Sequence, residues 1–360
     1  MNNRITLCNV KKRLEEQAFD YEVLMLQDDF SILCSGRGGR IFGPFESEDS
    51  ESVFWVNKAF RYSEAFAGFI RDEEWNMGGD RIWIAPEIPF FVKDRAAGFD
   101  SFIVQKHLDP GNYDLCRRAD SIILDQDVIL DVYQNACTKK EFHLKKTICK
   151  SDNPLRNLPV FEELSSKVKF CGFEQIIELA DNSEDCDLYL ENWILTQVNT
   201  PGILIVPFLG RMEFVDYFEP VEKQDFYIRD NYMEINVTGD RRYKLGFKSV
   251  ISTGRSGYLS KLSDGRSYLI IRSFINNPSS LYCCEPFDKP GQTGCSSFIY
   301  NDSGALGGYA EMENLGITIS GDTGKKCSAD VVYNWLYIGE ETALKQIANT
   351  LLEIKLIKYN

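Results

Sequence analysis

From about residue 20 onward, nearly every apolar run in this 360-residue chain is four to eight residues long and bounded by turn residues. Examples are Asp120 to Leu130, Phe142 to Lys150, Leu188 to Thr200, Ile203 to Phe208, Arg242 to Ser249, Ser267 to Phe274 and Gly308 to Leu315. Turn signals separate them at Asn199-Thr200-Pro201-Gly202, Thr238-Gly239-Asp240, Ser263-Asp264-Gly265 and Asp302-Ser303-Gly304. Short strands at this spacing predict an antiparallel β-sandwich or barrel. Two segments read differently. A short helix is expected over about 8–19, and a second over about 339–356, where Leu344, Ile347, Leu351 and Ile354 recur at helical spacing. No linker-like or low-complexity stretch interrupts the pattern, so the chain reads as one β-rich domain over 1–360.

Within this pattern the segment Gly78-Gly79-Asp80-Arg81-Ile82-Trp83-Ile84-Ala85-Pro86-Glu87 is chemically the densest. Two glycines permit backbone conformations that other residues resist. Alternation along a strand then puts Arg81, Trp83 and Glu87 on one face. A guanidinium, an indole and a carboxyl on one face suit a polar ligand with an apolar side, such as a sugar. The plainer reading is a strand entry with an Asp80–Arg81 ion pair. The same alternation puts Trp193, Leu195 and Gln197 on one face, Arg242 and Lys244 on one face, and Tyr309, Glu311 and Glu313 on one face.

Composition narrows the partners. Forty basic and 54 acidic residues leave a net charge of −14, which opposes nucleic-acid binding. No window approaches a membrane span, and the first residues hold no secretory h-region, so a cytoplasmic protein is expected. Eleven cysteines lie scattered without C-x-x-C spacing and are expected reduced. The only histidines, His107 and His143, are far apart, and no metal-ligand cluster or cofactor motif is found.

Six stretches occur in an order that resembles the galactose mutarotase-like superfamily, in particular its aldose epimerase-related bacterial domains of unknown function. They are Gly38-Gly39-Arg40-Ile41, Gly78 to Glu87, Trp193 to Pro207, Lys244-Leu245-Gly246, Tyr300-Asn301-Asp302 and Tyr309-Ala310-Glu311-Met312-Glu313. The resemblance implies a two-sheet antiparallel β-supersandwich and a sugar or sugar derivative as ligand. It implies a Glu base on a late strand, here Glu311, with Glu285 as the alternative, and a His acid that neither His107 nor His143 matches in its flanks. Lys244 joins Glu311 as a catalytic candidate, stabilising charge. The substrate-binding candidates are Arg81, Asp80, Trp83, Glu87, Trp193, Gln197, Tyr309 and Glu313. Aldose 1-epimerase-like isomerisation, sugar binding without catalysis and sugar lyase chemistry all remain open on such a scaffold.

Overall fold

The computed structural model describes residues 5–133 and 135–355. Two large antiparallel sheets dominate it. The nine-stranded sheet runs β1 (Tyr21–Met25), β2 (Ser31–Ser35), β3 (Arg40–Phe45), β4 (Asp80–Ala85), β9 (Glu191–Asn199), β18 (Tyr309–Leu315), β17 (Cys295–Asn301), β14 (Tyr243–Lys248) and β11 (Phe214–Asp216). The ten-stranded sheet runs β12 (Phe226–Ile228), β13 (Tyr232–Val237), β10 (Gly202–Pro207), β15 (Arg255–Lys261), β16 (Ser267–Phe274), β19 (Cys327–Gly339), β8 (Val168–Asp181), β7 (Lys139–Lys150), β6 (Ser121–Asp131) and β5 (Asp114–Arg118). The expected two-sheet antiparallel architecture is therefore observed.

One apolar cluster fills the space between the sheets. Ile82, Ile84, Ile194, Val198, Met312 and Leu245 enter it from the nine-stranded sheet, and Leu124, Leu144, Ile177, Tyr258, Ile270 and Leu336 from the ten-stranded one. These positions alternate with residues pointing away, as strand geometry requires. The interface also carries a buried polar knot. Lys146 Nζ of β7 lies 3.0 Å from Asp80 Oδ1 of β4, and Thr196 donates its hydroxyl to Asp80 Oδ2 at 2.6 Å. Arg272 of β16 reaches Asp80 at 3.5 Å and donates to Asn314, Asn334 and Thr196. Burial pushes the Asp80 carboxyl up, but Lys146 and Arg272 outweigh it and hold it below its ordinary value.

Helices lie outside the sheets. α1 (Leu7–Glu16) begins at Thr6, whose hydroxyl and backbone exchange hydrogen bonds with Asn9 in a capping box. With α2 (Ser63–Arg71) it packs on Leu33, Phe42 and Phe45. α3 (Glu87–Phe91) and α4 (Phe161–Ser165) are single turns in connections. α5 (Glu341–Leu352) covers the far side of the ten-stranded sheet with Leu344, Ile347 and Leu352 against Leu269, Ile271 and Tyr337. It is shorter than the expected helix because Gly339 still belongs to β19 and Glu353 ends the helix in the left-handed conformation, at φ +56°; residue 356 lies outside the described residues.

One expectation is corrected here. The cysteines are not all reduced: Cys137 and Cys186 form a disulfide across 49 residues of sequence. The spacing hides it because the partners sit in two different connections. No helix among the described residues is long and apolar enough to cross a membrane.

Candidate functional site

The site is built on the face of the nine-stranded sheet that points away from the other sheet. Register sets its rows. Gln197, Glu311, Tyr300 and Lys244 lie directly across from one another on β9, β18, β17 and β14. The next row holds Arg81, Leu195, Glu313 and Phe298, and the one beyond it Trp83, Trp193 and Leu315. Alternation carries these side chains to one face and Asp80, Ile82, Ile194, Thr196 and Met312 to the other. Gly78 and Gly79 make the entry to β4 possible, with φ of +97° and +78°. A Cβ at Gly79 would stand 2.4 Å from the Ile41 carbonyl oxygen, so only glycine fits.

Connections close over this face. Pro86 ends β4 and Glu87 opens α3, so Glu87 meets the face from a helical turn rather than from the strand. The segment after α3 delivers Asp109, and Asp302 accepts the N–H groups of Gly304, Leu306 and Gly308, ordering the loop that leads into Tyr309. Arg81, Glu87, Lys244, Glu311 and Glu313 are each 2–5% exposed.

The polar groups on this face are tied together. Arg81 Nη1 donates to Glu311 Oε1 at 2.8 Å, and Gln197 Nε2 donates to the same oxygen at 3.0 Å. Trp193 Nε1 donates to Glu313 Oε2 at 2.8 Å. Lys244 Nζ stands 3.5 Å from both Glu87 Oε2 and Glu313 Oε2, over the Trp193 ring at 4.1 Å. Asp109 accepts both Arg40 contacts, at 2.8 and 2.7 Å, and the Trp83 indole N–H at 2.8 Å. The Arg81 guanidinium lies over Trp83 at 4.6 Å. Trp55, Tyr300 and Tyr309 form a separate aromatic cluster beside Glu311.

Burial pushes the Glu313 carboxyl up to about 7, although Lys244 pulls it the other way. Burial would lower Lys244, but Glu313 and Glu87 outweigh it and hold the ammonium above its ordinary value. Lys244 is thus a fixed cation and a poor proton donor at neutral pH. The acids Glu87, Asp109, Glu311 and Glu313 outnumber the cations Arg40, Arg81 and Lys244 by one, so a single retained proton evens the buried charge.

Arg81, Trp83, Trp193, Gln197, Lys244, Tyr309, Glu311 and Glu313 therefore come to one face by strand alternation and register, and Glu87 meets them there from the helical turn α3. Asp80 does not, and its assignment to ligand binding is corrected. It faces the sheet interface, wholly buried against Lys146 and Thr196. The suggested Asp80–Arg81 ion pair fails for the same reason, and Arg81 pairs with Glu311 instead. Glu285, the alternative base, pairs with Arg95 on the wall of a separate cavity of about 490 Å³. His143 lies between Asp125 and Asp127, at 3.0 and 2.8 Å, on the outer side of the ten-stranded sheet. His107 lines another cavity of about 410 Å³ with Arg37, Lys106 and Gln126. Sequence reasoning missed Asp109, which reads as part of a turn in Asp109-Pro110-Gly111, and gave no role to Arg40 although its motif was noticed. No group of residues able to hold a metal ion occurs among the described residues.

No curated protein matches the chain. Among solved structures, a "putative aldose 1-epimerase" from Klebsiella pneumoniae subsp. pneumoniae MGH 78578 is similar over 92% of this chain and 82% of that one, at 7% identity and a TM-score of 0.38. Residues 22–360 match DUF6786, a family of unknown function, and the chain belongs to that family.

Proposed function

We propose that the loop-covered face of the nine-stranded sheet binds a sugar and exchanges its anomers, as an aldose epimerase does. The observation that carries this reading is the pair Glu311 and Glu313, one strand step apart on one face in different surroundings. Anomer exchange needs a base to take the proton of the anomeric hydroxyl and an acid to give one to the ring oxygen. The ring C–O bond then breaks as the anomeric carbonyl forms, and reclosure on the other face reverses the transfers. Glu311, held by Arg81 and Gln197, takes the base role. Glu313 takes the acid role that the histidines leave vacant, because a carboxyl raised to about 7 still carries its proton near neutrality. Lys244 and Arg81 stabilise developing negative charge on oxygen.

Two further features favour a hydroxyl-rich ligand. Gln197 Oε1 and Asn76 Oδ1 are buried acceptors without a partner among the described residues, and a hydroxyl would satisfy either. Trp55, Tyr300 and Tyr309 form a buried aromatic cluster beside Glu311, an apolar surround suited to the apolar side of a pyranose. The close burial of the acids favours a second reading, binding without turnover.

The test is anomer exchange followed by NMR from a single pure anomer. Glu311→Gln should slow it by at least about 100-fold while the fold is retained. Exchange should also weaken as pH rises through about 7, where Glu313 loses its proton. An unchanged rate in Glu311→Gln sinks the catalytic assignment. Saturable sugar binding with no exchange above background establishes binding alone.

A further inference from the structure

We infer that Arg242 is an anion-binding residue at the edge of this site, so that the sugar it accepts carries a carboxylate or a phosphate. The inference rests on the reading of this face as a sugar site and names the class of sugar.

Arg242 immediately precedes β14, two residues before Lys244, and its ring contacts place it beside the site face. Its guanidinium carbon is 3.9 Å from the centre of the Phe99 ring and 4.7 Å from that of Phe218. Two rings fix the plane of the fork and leave its N–H edge for a ligand. Among the described residues Arg242 makes no ion pair and no hydrogen bond, and its Nε is buried without a partner. The other cations on this face are all matched: Arg40 by Asp109, Arg81 by Glu311, and Lys244 by Glu87 and Glu313. In a chain with 54 acidic residues, an ordered arginine left without a carboxylate is not explained by scarcity of partners.

Its position connects it to the acid pair. Phe218 packs on Tyr300 at 6.0 Å, Tyr300 on Tyr309 at 6.0 Å, and Tyr309 on Trp55 at 4.8 Å. Tyr309 is two residues from Glu311 on the same strand face. An aromatic wall thus runs from Arg242 to the Glu311 base. A sugar lying along it would present its ring to Glu311 and an anionic substituent to Arg242. A planar fork binds carboxylate and phosphate alike, through paired N–H donors.

Binding to the full chain tests this by calorimetry at fixed salt, with four probes: inorganic phosphate, a hexose 6-phosphate, a hexuronate and the neutral hexose. The expected result is binding of at least one anionic sugar about 10-fold or more tighter than the neutral hexose, with that preference lost in Arg242→Gln and only partly kept in Arg242→Lys. Circular dichroism and thermal melting confirm that both variants fold. Which anionic probe wins separates carboxylate from phosphate. Equal affinity for anionic and neutral sugars, an unaltered preference in Arg242→Gln, or no binding of any probe overturns the inference. Anion-dependent binding without anomer exchange keeps the inference and rejects the epimerase reading. Exchange of a neutral hexose with no anion preference does the reverse.

Discussion

Single side chains set the pH behaviour of this protein. Glu191 at the start of β9 is fully buried; its Oε1 accepts from the Cys283 N–H at 2.9 Å and from the Thr318 hydroxyl at 2.5 Å. Burial pushes its carboxyl from 4.5 to about 7. Below pH 4.5 folded and unfolded states both hold the proton. Between 4.5 and 7 the unfolded carboxyl is ionised while the folded one is not, so rising pH destabilises the fold; above 7 the loss is constant. Gln at this position does not titrate. Glu191→Gln should therefore gain stability relative to the parent by up to about 3 kcal/mol as pH rises from 4.5 to 7.5. Urea denaturation at several pH values measures it, and a difference that stays constant with pH rejects a neutral buried Glu191. At this same scale the sequence was informative about type and uninformative about partner. Arg81, Glu311 and Lys244 were visible as candidates. Asp109, which holds Arg40 and Trp83, was not, because nothing local to a Pro-Gly turn says what the turn lies against.

Along a strand, one residue of displacement decides between solvent and core. Lys145 and Lys146 are neighbours on β7, yet Lys145 pairs with half-exposed Glu178 while Lys146 is buried against Asp80. Removing one member of a buried pair strands the other charge in a poor dielectric. Lys146→Met should cost about 3–5 kcal/mol, and Lys145→Met less than about 1 kcal/mol. Replacing both partners, as Asp80→Asn with Lys146→Met, should recover part of the larger loss. Equal small effects at both lysines in chemical denaturation would contradict the assigned register. Alternation of this kind is what made the strands and their faces legible. The helical turn α3 was not legible, since Glu87 has the right spacing to continue the face of β4, and only Pro86 marks the departure.

Across the whole molecule, contacts are made between strands far apart in sequence. β9 lies between β4 and β18, and β19 pairs with β8 over thirteen residues. The Cys137–Cys186 link is of the same long-range kind. Unfolded without reductant, the protein should titrate nine free thiols rather than the eleven present in the sequence, rising to eleven after reduction. Eleven before reduction would show that the link does not form. Such pairings leave no trace in spacing, because hydrogen bonding between strands uses backbone groups that every residue shares. Side-chain alternation is local, so the sequence by itself determined that this is a strand-rich β protein, sandwich or barrel, and which residues stand together on a strand face. Only the tertiary structure decided which face meets the second sheet and which lies under the loops. Strand order and loop closure follow from long-range packing of the whole chain, and they sent Asp80 into the interior while gathering Arg81, Lys244, Glu311 and Glu313 at one site.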